Sequence, residues 1–444
     1  MIALDRFFRR IEQAQLVQST GVVLRVIGLA VVASGPAVPV GETCTIRTAS
    51  AGERLALVTG FREGEVILQP IGQLDGIRPG DVVIARHCAL DIPVGPGLIG
   101  RIIDGIGNPI DGKGPLLGSA RRPTAGEPPP PLSRTPIERV IETGIRSIDT
   151  LFTIGFGQRM GIFAGSGVGK STLLGEMAKH ATADVNVIAL VGERGREVGE
   201  FLTKVLGPEG MAKSVVVVAT SDRPSVERLS AAYAATAIAE SFRDAGLDVL
   251  LMMDSVTRLC QAQREIGLAA GEPPVTRGYP PSAFAILPRL LERAGTGAFV
   301  PEAGKSGSIT AFYTVLIDGD DENDPVGDNV RAILDGHLFL SRRMAGQAVY
   351  PAIDPTASVS RLLIDLAQPQ EYRMALQARE LWSEYERVRD LVEVGAYRQG
   401  ADPKVDRAIA LHPKLLQFLR QDIGQTATRA EGLSGLNTLL GGVA

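Results

Sequence analysis

Residues that build metal and disulfide scaffolds are scarce here: three cysteines, four histidines and one tryptophan in 444 residues. Cys44, Cys88 and Cys260 are odd in number and far apart, which argues against a disulfide framework. His87, His180, His337 and His412 are scattered, and none stands at ligand spacing from a cysteine, which argues against structural zinc. The chain has no long basic run and a net charge of −4, so it offers no sign of the basic face that holds nucleic-acid phosphates. No apolar stretch reaches the roughly 18 residues of a membrane span. The first residues mix acids and arginines with short apolar patches and lack a signal-peptide core. What remains, at 45% hydrophobic and 22% charged, is the composition of a soluble cytoplasmic protein. Its length predicts roughly two to three domains.

The texture changes along the chain. Residues 1–20 place Leu4, Phe7, Phe8 and Ile11 at helical spacing beside Arg6, Arg9 and Arg10. That pattern predicts an amphipathic basic helix, suited to acidic lipid or a partner helix, or else a frayed end with no role. Over 21–92, short β-rich runs (Val22–Ala33, Thr43–Arg47, Leu55–Thr59, Val66–Gln69, Val82–Ala85) alternate with glycine turns and predict a small closed β-barrel. Residues 91–135 are rich in glycine and proline and end in Pro128–Pro131, which reads as a stiff connector lying over the next domain.

Within 93–350, nearly unbroken apolar runs at Arg159–Phe163, Val185–Leu190, Val215–Thr220, Val249–Asp254 and Ile309–Ile317 alternate with helical patterns. Such runs predict strands covered on both faces, hence a parallel α/β sheet built from βαβ units. Residues 351–444 read as a C-terminal helical domain through Glu371–Val394 and Val405–Leu419, with a tail at Gly424–Ala444 expected to be partly mobile.

The strongest motif is Ala164-Gly165-Ser166-Gly167-Val168-Gly169-Lys170-Ser171, between a predicted strand and a predicted helix. Its glycines let backbone N–H groups turn inward around phosphates, and the helix that follows adds its positive end. Lys170 can reach the β- and γ-phosphates, and the Ser171 hydroxyl can ligate Mg²⁺. The nucleotide-binding set therefore runs from Gly165 through Thr172. Alanine replaces the usual first glycine, the smallest possible departure; the bland alternative is a flexible turn. Leu250–Asp254 then ends an apolar strand on a carboxylate at the same sheet edge, able to hold Mg²⁺ through water.

Gly192-Glu193-Arg194-Gly195-Arg196-Glu197 follows directly after a third strand and brings a carboxylate and two guanidiniums to that edge. A carboxylate near the γ-phosphate can orient the attacking water, and Arg194 can hold the γ-phosphate or released phosphate. Taken alone, the stretch reads equally well as a solvated charged turn.

Over nearly its whole length the chain resembles the catalytic subunits of rotary ATP synthases and their relatives. The resemblance rests on Arg101–Pro115, the phosphate loop, Gly192–Glu197 and Tyr350–Pro355 in that order. Asp254–Arg258, Gln263–Pro274 and Gly278–Ser282 narrow it to the type III protein-export ATPases, and Gly28-Leu29 with the basic N-terminus makes it most similar to the flagellar export ATPases. The fold this implies is a β-barrel, a RecA-like P-loop domain and a C-terminal helical domain.

By that resemblance Glu193 is the water-activating glutamate and Arg194 a phosphate contact. Glu197 and Asp254 stand around the metal's water shell, Tyr350 stacks on adenine, and Arg361 in Ser358–Leu362 is an arginine finger entering a neighbour's site. A second adenine-packing aromatic cannot be aligned. One chain carrying both the glutamate and the finger implies complete sites at every interface of a homo-hexamer, whose head-to-tail contacts close a ring. The expected ligands are ATP and Mg²⁺. The expected partners are further copies of the chain, a regulator on the N-terminal helix, a central stalk protein near Glu265–Pro281, and the export gate with its chaperones and cargo. The expected location is cytoplasmic, peripheral to the inner-membrane export apparatus. An injectisome ATPase is the nearest alternative. A rotary ion pump would lack the Asp254–Arg258 and Gly267–Pro274 signatures, and a nucleic-acid translocase would need basicity and a stacking platform absent from the sequence.

Overall fold

A computed structural model describes residues 18–49, 52–317 and 324–441. The amphipathic helix expected over 1–20 therefore lies, up to residue 17, outside the described residues.

Six strands (Thr20–Ile27, Ala30–Ala33, Glu42–Thr48, Gly52–Arg62, Glu65–Pro70 and Val82–Ala89) close into a barrel. The run Val22–Ala33, read as continuous, breaks at Gly28-Leu29 into an antiparallel hairpin. Alternation fills the barrel with Val23, Val31, Ile46, Val58, Leu68 and Val83, so a small core is complete within this unit.

Nine strands make the central sheet. From one edge they run Val359–Ser360, Gly336–Leu340, Arg159–Ala164, Lys305–Leu316, Asp248–Asp254, Val185–Val191, Ser214–Ala219 and Ile102–Asp104, with Gly295–Val300 pairing onto Lys305–Leu316. The pairings from Gly336–Leu340 through to Ile102–Asp104 are parallel. Val185–Val191, Ser214–Ala219 and Asp248–Asp254 are buried at every position, as strands with helices on both faces must be. The connector reading of 91–135 is incomplete. Asp91–Val94 pairs with Ala120–Pro123, and Ile102–Asp104 joins the sheet beside Ser214–Ala219. A three-residue strand is too short to show its period in the sequence.

Three long helices, Pro369–Glu393, Pro403–Leu419 and Arg429–Leu440, form the C-terminal unit around Trp382. The last of them falls where a mobile tail was expected. Thr428 and Glu431 cap it reciprocally, and Leu436 and Leu440 bury themselves in the core shared with the phosphate-loop helix. The three-part fold expected from the resemblance is the fold observed.

Candidate active site

Parallel strands carry their carboxyl ends to one edge, so the turns after them converge. Leu190 is in register with Asp254, and Ala164 with Leu316, which brings the phosphate loop, the turn after Val191 and the end of the Asp254 strand together. They border a cleft of about 660 Å³ lined by Gly165, Ser166, Gly167, Gly169, Lys170, Ser171 and Thr172, with Glu193, Arg194, Glu197, Asp254 and Arg258 facing them. Val168 is the exception in the loop: its side chain is buried in the core, leaving only its backbone to the site.

Gly169 adopts φ 89°, a left-handed conformation a side chain would strain, and hands the chain directly to the helix Lys170–His180. Gly169 provides no side-chain cap, so the first N–H groups of that helix remain available to an anion.

At the centre, Lys170 Nζ donates to Asp254 Oδ1 at 2.5 Å and stands 4.0 Å from Glu193 Oε1. Thr314 Oγ1 also donates to Asp254 Oδ1 at 2.7 Å, fixing the carboxylate. Glu193 Oε1 is buried with no hydrogen-bond partner. Burial, and then the nearby charge of Asp254, push the Glu193 carboxyl up to about 7, against the opposing pull of Lys170 and Arg258. A carboxyl poised near neutrality, with one oxygen unspent, on a residue that lines the cleft beside Lys170 has the character of a water-orienting base.

Arg194 and Glu197 open the helix Gly195–Glu200; they pair at 3.5 Å and are 76% and 39% exposed, so both can reorient toward a ligand. The donor set of the Ser171 hydroxyl and the Asp254 carboxylate is hard, oxygen-only and sparse. That fits Mg²⁺, which keeps most of its waters and takes the rest of its shell from phosphates.

Two charged residues at the edge of this cleft escaped the sequence reading. Arg258, known there only as part of a signature, lies against Gly192 so closely that a Cβ on that glycine would come within 2.8 Å of it. Its Nε is buried without a partner. Its place in the first turn of the helix Val256–Ala269, directly after the strand that ends on Asp254, was the available signal. Arg342, at the start of the helix Arg342–Gly346, stacks its guanidinium on Gly165; nothing local announces that contact.

A second cavity of about 490 Å³ adjoins the first and shares Gly167, Gly169 and Thr172 with it. Tyr350 borders it, its ring against Gly169, together with a loop of Arg420, Gln421, Asp422, Ile423 and Gln425 from the C-terminal unit. Tyr350 thus presents a half-exposed ring to this cavity beside the phosphate loop. Among the described residues no second aromatic lines this cavity; the exposed Ile423 does.

Arg361 lies apart from both cavities. It follows Val359–Ser360, which runs antiparallel to Gly336–Leu340 with Ser360 opposite Gly336. This leaves Arg361 at the amino end of a strand whose carboxyl end faces the phosphate loop, about 16 Å away. It is anchored there by its N–H to the Asp335 carbonyl and its guanidinium to the Arg331 carbonyl, at 2.9 and 3.2 Å, and remains exposed. In this conformation Arg361 cannot serve its own cleft.

Residues 144–360 match the nucleotide-binding domain of the ATP synthase alpha/beta family, 23–86 its beta-barrel domain, and 367–438 the T3SS EscN ATPase C-terminal domain. The flagellum-specific ATP synthase of Bacillus subtilis (strain 168) is 51% identical over 97% of each chain. The type 3 secretion system ATPase of Xanthomonas euvesicatoria is 50% identical over 94% of this chain and 93% of its own. Among solved structures, the assembled ATPase EscN of the enteropathogenic E. coli type III secretion system superposes with a TM-score of 0.88 at 43% identity, over 95% of this chain and 100% of EscN.

Proposed function

The chain belongs to the ATP synthase alpha/beta family, in its flagellum-specific and type III secretion branch, and on that footing we propose how its copies work together. It is an ATP-hydrolysing enzyme. In the proposal, identical copies close a homo-hexameric ring that hydrolyses ATP·Mg²⁺ at shared sites and so energises export of flagellar proteins, releasing and unfolding chaperone-bound cargo at the export gate. The observation that carries it is the pairing of an unspent Glu193 carboxyl with Lys170 in one chain's cleft while Arg361 lies at the far end of the sheet.

Phosphate-loop N–H groups and the start of the Lys170–His180 helix hold the β- and γ-phosphates. Lys170 exchanges the Asp254 carboxylate for phosphate oxygen. The Ser171 hydroxyl would hold Mg²⁺, with Asp254 and Glu197 reaching it through water, and the bound ion would neutralise charge at those phosphates. Glu193 orients and polarises the attacking water, and Arg194 and Arg258 face the phosphoryl group as it leaves. Arg361 of the neighbouring copy supplies the last positive charge, a contribution of about 10³–10⁵ in rate for such fingers.

EscN has been solved in complex with its central stalk EscO. The corresponding contact on this chain is assigned to Glu265–Pro281, where Leu268 and Val275 are exposed. Residues 1–20 are assigned to a regulator or to acidic lipid at the inner membrane. No helix among the described residues is long and apolar enough to cross a membrane. An injectisome role is the second reading, favoured by the 50% identity with the Xanthomonas protein.

Glu193→Gln tests the chemistry. It is expected to retain ATP binding and assembly while kcat falls by about 10³ or more. Hydrolysis at the wild-type rate with unchanged assembly would remove Glu193 from its role.

A further inference from the structure

Gln421 belongs to the C-terminal unit, just past the helix Pro403–Leu419, yet its side chain is spent on the nucleotide-binding domain. Its Oε1 accepts from the Arg146 N–H at 2.8 Å, and its Nε2 donates to the Gly144 carbonyl at 2.7 Å and to the Gln425 carbonyl at 2.6 Å. Its main-chain N–H donates to the Tyr350 carbonyl at 2.8 Å. Only 7% of the residue is exposed. A second tie runs in parallel, as the Gly424 N–H donates at 2.8 Å to Oε2 of the buried Glu176, which projects from the phosphate-loop helix. Gln425 Oε1 accepts from the Asp422 N–H at 3.2 Å and braces the loop from within.

We infer that Gln421 is the positioning residue of the base pocket. Its amide fastens the loop that carries Ile423 to the Gly144–Arg146 turn, and its backbone fastens that loop to Tyr350. The spacing between the two walls that grip the base is therefore set by Gln421, with the Gly424–Glu176 bond in support. Both amide hydrogens are consumed by carbonyls, so Gln421 reads no base edge; it acts through Tyr350 and Ile423. The consequence is an affinity role without a chemical one: loosening the loop weakens the grip on the base and leaves the phosphate end, held by Lys170 and the helix start, in place. The inference rests on the nucleotide reading of the cleft.

The test is Gln421→Leu, which keeps bulk and removes both donors and the acceptor, with Gln425→Ala as a milder, surface-exposed variant. Steady-state ATP hydrolysis is measured alongside competition by magnesium tripolyphosphate, which has phosphates and no base. The expected result for Gln421→Leu is a KM for ATP raised about tenfold or more, a kcat within about twofold, and unchanged tripolyphosphate inhibition. Gln425→Ala is expected to raise KM about two- to threefold, a readout that survives if Gln421→Leu does not fold. An unchanged KM in Gln425→Ala and in any folded Gln421→Leu would overturn the inference. So would equal weakening of tripolyphosphate, which would make the loop a support of the phosphate site. A wild-type protein that fails to hydrolyse ATP would instead defeat the nucleotide reading, a distinct outcome.

Discussion

The two ends of the cleft are built on opposite principles. At the phosphate end, the side chains of Lys170, Glu193 and Asp254 are 11%, 15% and 6% exposed and come from the carboxyl ends of three nearby strands or from the loops that leave them. At the base end, Tyr350 and Ile423 are 43% and 76% exposed and come from segments joined only by tertiary packing. Buried charges held by a sheet edge are preorganised, so their interactions strengthen with the charge that builds in the transition state. Exposed apolar walls act through area alone, which binds ground and transition states alike. The phosphate end should therefore control kcat and the base end KM.

Substitutions can break this division. Lys170→Ala removes a partly buried cation from the phosphates and is expected to lower kcat by about 10³-fold or more in steady-state assays. Arg258→Ala should cost about 10²-fold in kcat with little change in KM, because Arg258 lines the same cleft as Lys170. A large KM effect from Arg258→Ala would mean that the phosphate end also supplies uniform binding.

The pH dependence sharpens the contrast. Since burial raises the Glu193 carboxyl to about 7, kcat/KM is expected to climb with pH through an inflection near that value, and Glu193→Gln should lose the inflection. Stability runs the other way. A carboxyl whose folded pKa is raised favours the folded state below the unfolded pKa and penalises it as pH rises through about 7. Glu193→Gln should therefore be more stable than the parent at pH 8 by roughly 1–3 kcal/mol, and not at pH 4, in denaturant titrations. The smallest effect belongs to the base end. Tyr350→Ala should raise KM about tenfold at nearly constant kcat, whereas Tyr350→Phe, with the same ring, should change neither by more than about twofold.

The same division explains what could be read from the sequence. Gly165–Thr172 and Glu193 come directly after strands and Asp254 ends one, so an apolar run ending in glycine or a carboxylate announces both fold and chemistry. Arg361 and Tyr350 were accessible only through resemblance, because a lone arginine after a short strand and a tyrosine beside proline have no local signature. Gln421, Ile423 and Arg342 were not accessible at all. Gln421 meets the Gly144–Arg146 turn across more than 270 positions, a contact set by packing of the C-terminal helices rather than by any period in the chain. The strand Ile102–Asp104 was missed for the related reason that three residues cannot display alternation. The helix Arg429–Leu440 was missed because its glycines dilute the apolar stripe, although its capping pair Thr428 and Glu431 was in plain view.

In the proposed ring one chain holds half of each site and a neighbour the other half. ATPase activity measured against protein concentration, for the parent and for an equimolar mixture of Lys170→Ala with Arg361→Ala, tests it directly. Shared sites predict a steep rise of specific activity with concentration, near-inactivity of either variant alone, and partial recovery in the mixture where an intact Lys170 meets an intact Arg361. Activity strictly proportional to concentration, with no recovery on mixing, would mean that each chain works alone and would contradict both the trans-acting Arg361 and the ring.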